Sequence, residues 1–204
     1  MLSRRTFIVS AAATAATLAL GRPALSAPIG LGQLSQYLNG LTTAEAEFTQ
    51  INADGTISTG KLFIHRPGRL RFDYNAPEKM LVMAGGGQVA VFDGKSNSVT
   101  PEQYPLSQTP LSIILDANVD LARAGMVVGH REDGNKTVVT AQDPQRPQYG
   151  KLEMVFTGNP VQLRQWVVID GQGSRTTTVL GDLRRVGSLP SRYFSIPTEI
   201  RSRS

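Results

Sequence analysis

Between Leu62 and Pro77 the segment LFIHRPGRLRFDYNAP alternates, breaks once and alternates again, and this constrains the chain more tightly than any other feature. Leu62, Ile64 and Arg66 share one parity, Pro67-Gly68 interrupts the run, and Leu70, Phe72 and Tyr74 resume opposite Arg69, Arg71 and Asp73. Two strands joined by a turn satisfy that pattern. The hairpin then has one apolar and one charged face, and the apolar face needs a cover from elsewhere in the chain. Arg66 is the exception, because alternation places its cation on the apolar side. An unpaired guanidinium is costly to bury, so Arg66 either curls to solvent at the strand end or meets a hydrogen-bonding partner there.

The remainder is dominated by the same period of two. Ahead of the hairpin, Leu31, Leu34, Leu38 and Leu41 recur at three and four and predict a helix from Ile29 to about Leu41, with Gly32 and Gly40 near its ends. Ala44, Ala46 and Phe48 then alternate with Glu45, Glu47 and Thr49, Asp54-Gly55 turns the chain, and Ile57 to His65 runs into the hairpin. Strands are expected at Met80–Met83 and Val89–Phe92 around a Gly85-Gly86-Gly87 turn, and near Val99 after Asp93-Gly94. Between Thr100 and Gly125 the pattern breaks. Thr109-Pro110 has the form of a helix cap followed by proline, with Leu111, Ile114 and Leu115 on one side, and Asn118 is expected to start a second short helix ending at Gly125. Alternation returns at 126–131, 136–141, 152–156, 161–170 and 175–183, and a last edge strand is expected near Tyr193–Ile196. About eleven strands and two or three short helices exceed the usual strand share of a globular domain, so one large curved sheet or incomplete barrel is the simplest host.

Residues 1–26 read as a cleavable signal peptide: Arg4-Arg5 precede an apolar run from Phe7 to Leu20, and Ala24-Leu25-Ser26 offers small residues before a cut at Ser26/Ala27. SRRTFI also resembles the twin-arginine export consensus, leaving that route and the general secretory one both open. Arg4, Arg5 and Arg22 leave with the segment and no acid does, so the formal charge falls from +5 to +2 and no nucleic-acid footprint remains. Residues 27–204 are expected to form a single domain. There is no cysteine, so disulfides, thiolate metal sites and a cysteine nucleophile are excluded, and burial alone must hold the fold.

Catalytic candidates are sparse. The two histidines, His65 and His130, could act as a base or a metal ligand, but each reads more simply as a solvated strand residue. Glu45 and Glu47 are explained by solvated alternation, and Gly85-Gly86-Gly87 by a hairpin turn without a following phosphate-binding helix. No catalytic residue, metal site or cofactor is expected. Many strands, few catalytic groups and detachable apolar helices suggest a binding protein; an envelope hydrolase and a solid structural module stand as the rivals.

Phe48-Thr49-Gln50, Gly60-Lys61-Leu62-Phe63-Ile64, Arg66-Pro67 with Leu70, Phe72 and Tyr74, then Pro77 and the Thr109-Pro110-Leu111 helix start, together resemble the LolA family of periplasmic outer-membrane lipoprotein carriers. Phe72 departs from the tryptophan common there, and Gly85-Gly86-Gly87 from a lone Asp-Gly turn. The resemblance implies a mainly β fold with short helices: an unclosed antiparallel β-barrel covered by an α-helical lid, with a hydrophobic cavity between. It implies that Arg66 bonds to the lid and holds it shut, and that Leu34, Leu38, Leu62, Ile64, Leu70, Phe72, Tyr74, Leu111, Ile114 and Leu115 line an acyl-chain cavity. The implied partners are acylated lipoproteins, an ATP-driven inner-membrane release complex and an outer-membrane lipoprotein receptor, met by a periplasmic monomer. A carrier of another amphiphilic lipid on the same scaffold is the alternative.

Overall fold

The structure is a computed structural model and describes residues 27–95, 100–123 and 125–204. The expected signal peptide and the strand piece around Val99 lie outside the described residues.

Helix α1 (Leu31–Gly40) forms where the leucines recur at three and four, and it buries Leu34 and Leu38, with Leu41 buried just beyond its end. Strands β1 (Thr43–Ile51), β2 (Ile57–His65), β3 (Arg69–Tyr74), β4 (Leu81–Gly85), β5 (Gln88–Phe92) and β6 (Glu102–Pro105) follow as an antiparallel meander. The β2–β3 register pairs Leu62 with Phe72 and Ile64 with Leu70, so the alternating apolar residues of the hairpin share one face. Gly60 lies opposite both Phe48 and Tyr74. A Cβ there would collide with the Asp73 carbonyl and come within 2.8 Å of Phe48 Cε1, so only glycine lets that ring lie across the strand.

The second half runs through α2 (Ser112–Leu115), β7 (Val127–Asp133), β8 (Lys136–Ala141), β9 (Lys151–Thr157), β10 (Gln162–Ile169), β11 (Arg175–Leu180), β12 (Arg184–Arg185) and α3 (Ile196–Arg203). All twelve strands of the described residues belong to one sheet in the order β6-β5-β4-β3-β2-β1-β11-β10-β9-β8-β7, with β12 on β1. The barrel is unclosed, as expected: the order begins at β6 and ends at β7. These two edges are consecutive in sequence, so the segment between them, which carries α2, has to cross the open seam.

Successive residues of β4 show how both faces of the sheet are used. Val82 and Ala84 join the large core that contains α1 and α2, whereas Leu81 and Met83 pack with Ala90, Phe92 and Ile196 of α3 in a second core on the outer face. The α3 helix is tethered there by Glu199, which accepts from Arg71 at 3.0 Å and Arg203 at 2.9 Å. Two of the three helices therefore cover the concave side and the third braces the back.

Four local expectations are corrected. The piece near Tyr193–Ile196 is a 3-10 turn (Ser191–Phe194) followed by α3, because the Ser195 side chain caps Thr198 N–H and Pro197 occupies the first helical turn. Thr109 is not a cap: its hydroxyl donates back to the Leu106 carbonyl at 3.0 Å, and α2 starts at Ser112. No helix forms from Asn118 to Gly125 among the described residues, since Asp116 and Asp120 bond to the backbone two residues on and hold turns. The region of broken pattern also contains β6, which was not expected.

Candidate functional site

Arg66 sits where the β2–β3 turn meets the ends of two helices. Its Nη1 donates to the Leu38 carbonyl in the last turn of α1. Its Nε and Nη2 donate to the Asp116 carbonyl, at the end of α2, at 3.1 and 2.5 Å. Nη2 also reaches Asn39 Oδ1 at 3.1 Å. One guanidinium thus serves backbone carbonyls at the C-terminal ends of two helices, and the Leu38 carbonyl also accepts from Leu41 N–H at 3.0 Å. Burial lowers the Arg66 pKa and the Asp116 carboxylate opposes that shift, so the side chain stays charged. Of the two outcomes the sequence left open for this cation, solvent or a hydrogen-bonding partner, the structure shows the second: two backbone oxygens and the Asn39 amide oxygen.

The contacts around Arg66 join α1 and the seam-crossing segment. Asn39 Oδ1 also accepts from Val119 N–H at 2.9 Å, and its Nδ2 donates to the Val119 carbonyl at 2.9 Å. Ser35 Oγ accepts from Leu121 N–H at 3.0 Å. From the sheet side, Gly68 N–H donates to the Leu115 carbonyl at 2.8 Å. Ser35 and Asn39 lie four residues apart, on one face of α1. Sequence reasoning missed both, and the signal available was that spacing of two small polar residues in an otherwise leucine-rich helix.

Beneath this lid the residues expected to line a cavity converge. Leu34, Leu38, Leu62, Ile64, Leu70, Phe72, Ile114 and Leu115 are buried members of one cluster, and Tyr74 and Leu111 pack against it, partly buried. Phe48 and Phe72 meet edge to face at 4.9 Å, and Phe72 reaches across to Trp166 at 6.2 Å. A pocket of about 550 Å³ opens beside the turn that carries Arg66, lined by Pro67, Gly68, Ile113, Leu115, Asp116 and Leu121 among others. Of the expected cavity residues it includes Leu115.

The remaining candidates fall elsewhere. His130 Nε2 is 3.0 Å from the Ile29 carbonyl and helps fix the chain entering α1. His65 lies on the outer face against the Phe194 ring, 5.7 Å between centroids, and burial together with Arg69 lowers its pKa. Glu45 pairs with Arg184 at 2.9 Å. Among the described residues there is no group of three or more His, Cys, Asp or Glu arranged to hold a metal ion.

Comparison with known proteins identifies the family. The family described as "Outer membrane lipoprotein carrier protein LolA" matches residues 39–197. The outer-membrane lipoprotein carrier protein of Pseudomonas aeruginosa (strain UCBPP-PA14) is 27% identical over 199 residues, covering 94% of this chain and 92% of that protein. Its counterpart in Cupriavidus necator is 28% identical over 202 residues, covering 94% and 93%. A crystal structure of a LolA superfamily protein from Nitrosomonas europaea superposes with a TM-score of 0.45 at 8% identity, covering 82% of this chain and 98% of that one. An unclosed sheet, a lid on its concave side and a match spanning most of the length lead to one conclusion: the chain belongs to the LolA family of outer-membrane lipoprotein carrier proteins.

Proposed function

We propose that this protein is a periplasmic carrier that takes up the acyl chains of lipoproteins released from the inner membrane and delivers them to an outer-membrane receptor. The observation that carries this reading is the Arg66 latch: one side chain on the sheet holds α1 and α2 over an apolar concave face through acceptors on the lid. The names of the relatives support it, since each is called an outer-membrane lipoprotein carrier.

Each acyl methylene is worth about 0.8 kcal/mol of burial, so a multiply acylated protein does not leave a bilayer unaided. Leu34, Leu38, Leu111, Ile114 and Leu115 on the lid and Leu62, Ile64, Leu70, Phe72 and Tyr74 on the sheet offer it an apolar substitute. Acyl chains part the two surfaces and break the Arg66 bonds. Closing the lid remakes them, which favours letting the cargo go. Energy for loading comes from the partner, an ATP-driven release complex in the inner membrane, and the carrier works as a monomer without catalytic residues.

Native mass spectrometry of the protein purified from its own periplasm tests this reading. Bound acylated polypeptide is the expected result. Bound free lipid would replace lipoprotein by another amphiphile as cargo, and ester turnover lost on substituting His65 or His130 would point to a hydrolase.

A further inference from the structure

Two buried side-chain nitrogens among the described residues have no hydrogen-bond partner: His65 Nδ1, on the outer face, and Trp166 Nε1, in the core beneath the lid. Trp166 has no exposed surface, and its ring packs edge to face with Phe72. An aromatic face is a poor substitute for an oxygen acceptor, and a buried N–H left unpaired is a standing cost that phenylalanine would avoid. A concave face meant only for hydrocarbon has no use for this donor.

The neighbouring residues strengthen the point. Sheet register sets Trp166 opposite Thr178, Thr178 opposite Gln50, and Gln50 opposite Ser58, so four adjacent strands contribute one row. Thr178, Gln50 and Ser58 are the buried polar members of that row, and Tyr74 donates its hydroxyl to Gln50 Oε1 at 2.8 Å. Gln50 lies seven residues along β1 from Thr43, the partner of His65 beside the latch, so the row is roughly 23 Å of strand away from the Arg66 end. On β11, β1 and β2 the concave face thus carries buried polar groups at this row, and beside them on β10 one donor has nothing to bond.

We infer that Trp166 Nε1–H is held for a carbonyl oxygen of the cargo, the ester or amide that joins an acyl chain to its head group, and that it sets the depth at which that linkage rests. The inference rests on the carrier reading given above and adds to it a position for the linkage. With the lid displaced, an acyl carbonyl at the level of Trp166 receives the N–H, and the Thr178–Gln50–Ser58 row lets the more polar linkage lie there.

The test uses the full mature chain and two synthetic probes of equal chain length: a diacylglyceryl-cysteinyl tetrapeptide with ester links, and its dialkyl ether analogue. Wild type is expected to bind the ester about three- to tenfold more tightly, the worth of one neutral hydrogen bond. In Trp166→Phe that ratio falls to about one, whatever happens to overall affinity. Because the chain has one tryptophan, the N–H-sensitive indole band in its ultraviolet resonance Raman spectrum reports this group alone, and it should shift to the bonded position with the ester probe only. That spectrum needs no variant. Equal ester-to-ether ratios in wild type and Trp166→Phe, or an indole band unmoved by the ester, overturn the inference while both probes still bind and the carrier reading stands. Failure of wild type to bind either probe overturns both.

Discussion

Replacing Arg66 with leucine removes the guanidinium and leaves a shorter, apolar side chain at the strand end. Three acceptors lose a donor: the Leu38 and Asp116 carbonyls and Asn39 Oδ1. Hydrogen bonds from a charged donor contribute about 1.5–3 kcal/mol each when buried. Two considerations reduce their sum. Arg66 is only half-buried, so water competes for it. Leu38 O also keeps Leu41 N–H at 3.0 Å and Asn39 Oδ1 keeps Val119 N–H at 2.9 Å, so neither is orphaned. The closed lid should therefore lose about 2–3 kcal/mol relative to the open one, roughly 30- to 150-fold in the equilibrium. Hydrogen exchange reads this directly. Amides in α1 and in residues 112–121 should lose protection by that factor, while those of β1–β3 hold theirs. In function the variant should accept lipoprotein and pass it on poorly, because remaking the closed state no longer favours release. Arg66→Lys keeps the charge without the fork and should fall between. Unchanged lid protection together with normal transfer would refute the latch.

Asn39→Ala should free the 118–121 segment from α1, lowering its amide protection by about tenfold, since two backbone groups of Val119 lose their partner. Gly60→Ala should lower the urea midpoint by the equivalent of about 1–3 kcal/mol, because the new Cβ meets the Asp73 carbonyl and the Phe48 ring. Burial pushes the Tyr74 hydroxyl up from 10.0 to about 12. The folded chain then holds a proton that the unfolded chain gives up, so Tyr74 favours the fold fully below pH 10 and that preference declines as pH rises from 10 through about 12. Urea titrations across that window should show the decline in wild type and a smaller one in Tyr74→Phe.

Much of the fold was legible because alternation is a strong signal when one face is buried. β2 runs from Ile57 to His65, the bounds expected for it, and the hairpin residues face as their parity required. Arg66 was legible as an anomaly for the same reason: a cation on the buried parity had either to curl to solvent or to find acceptors, and it finds them. What failed was local and lacked that signal. β6 reads EQYP, with no apolar residue alternating through it, and it is held by pairing to β5. Tyr193, Phe194 and Ile196 look like an edge strand, yet the Ser195–Thr198 cap and Pro197 start a helix there. The turns after Asp116 are held by the Asp116 and Asp120 side chains and docked on Asn39 and Ser35, contacts distant in sequence and invisible to periodicity. That the expected lining residues of the hairpin share a face followed from the sheet register, but their burial in one cluster with Leu34, Leu38, Ile114 and Leu115 is a property of the tertiary structure alone.

The central claim is that acyl chains replace the lid against the concave face. It is tested most directly by isotope-filtered nuclear Overhauser contacts between a diacylated lipopeptide and the labelled protein. The account predicts cross-peaks from acyl methylenes to Leu62, Ile64, Leu70 and Phe72, with loss of the native contacts from α1 to those side chains. Cross-peaks confined to the outer face, with the α1 contacts intact, would contradict it.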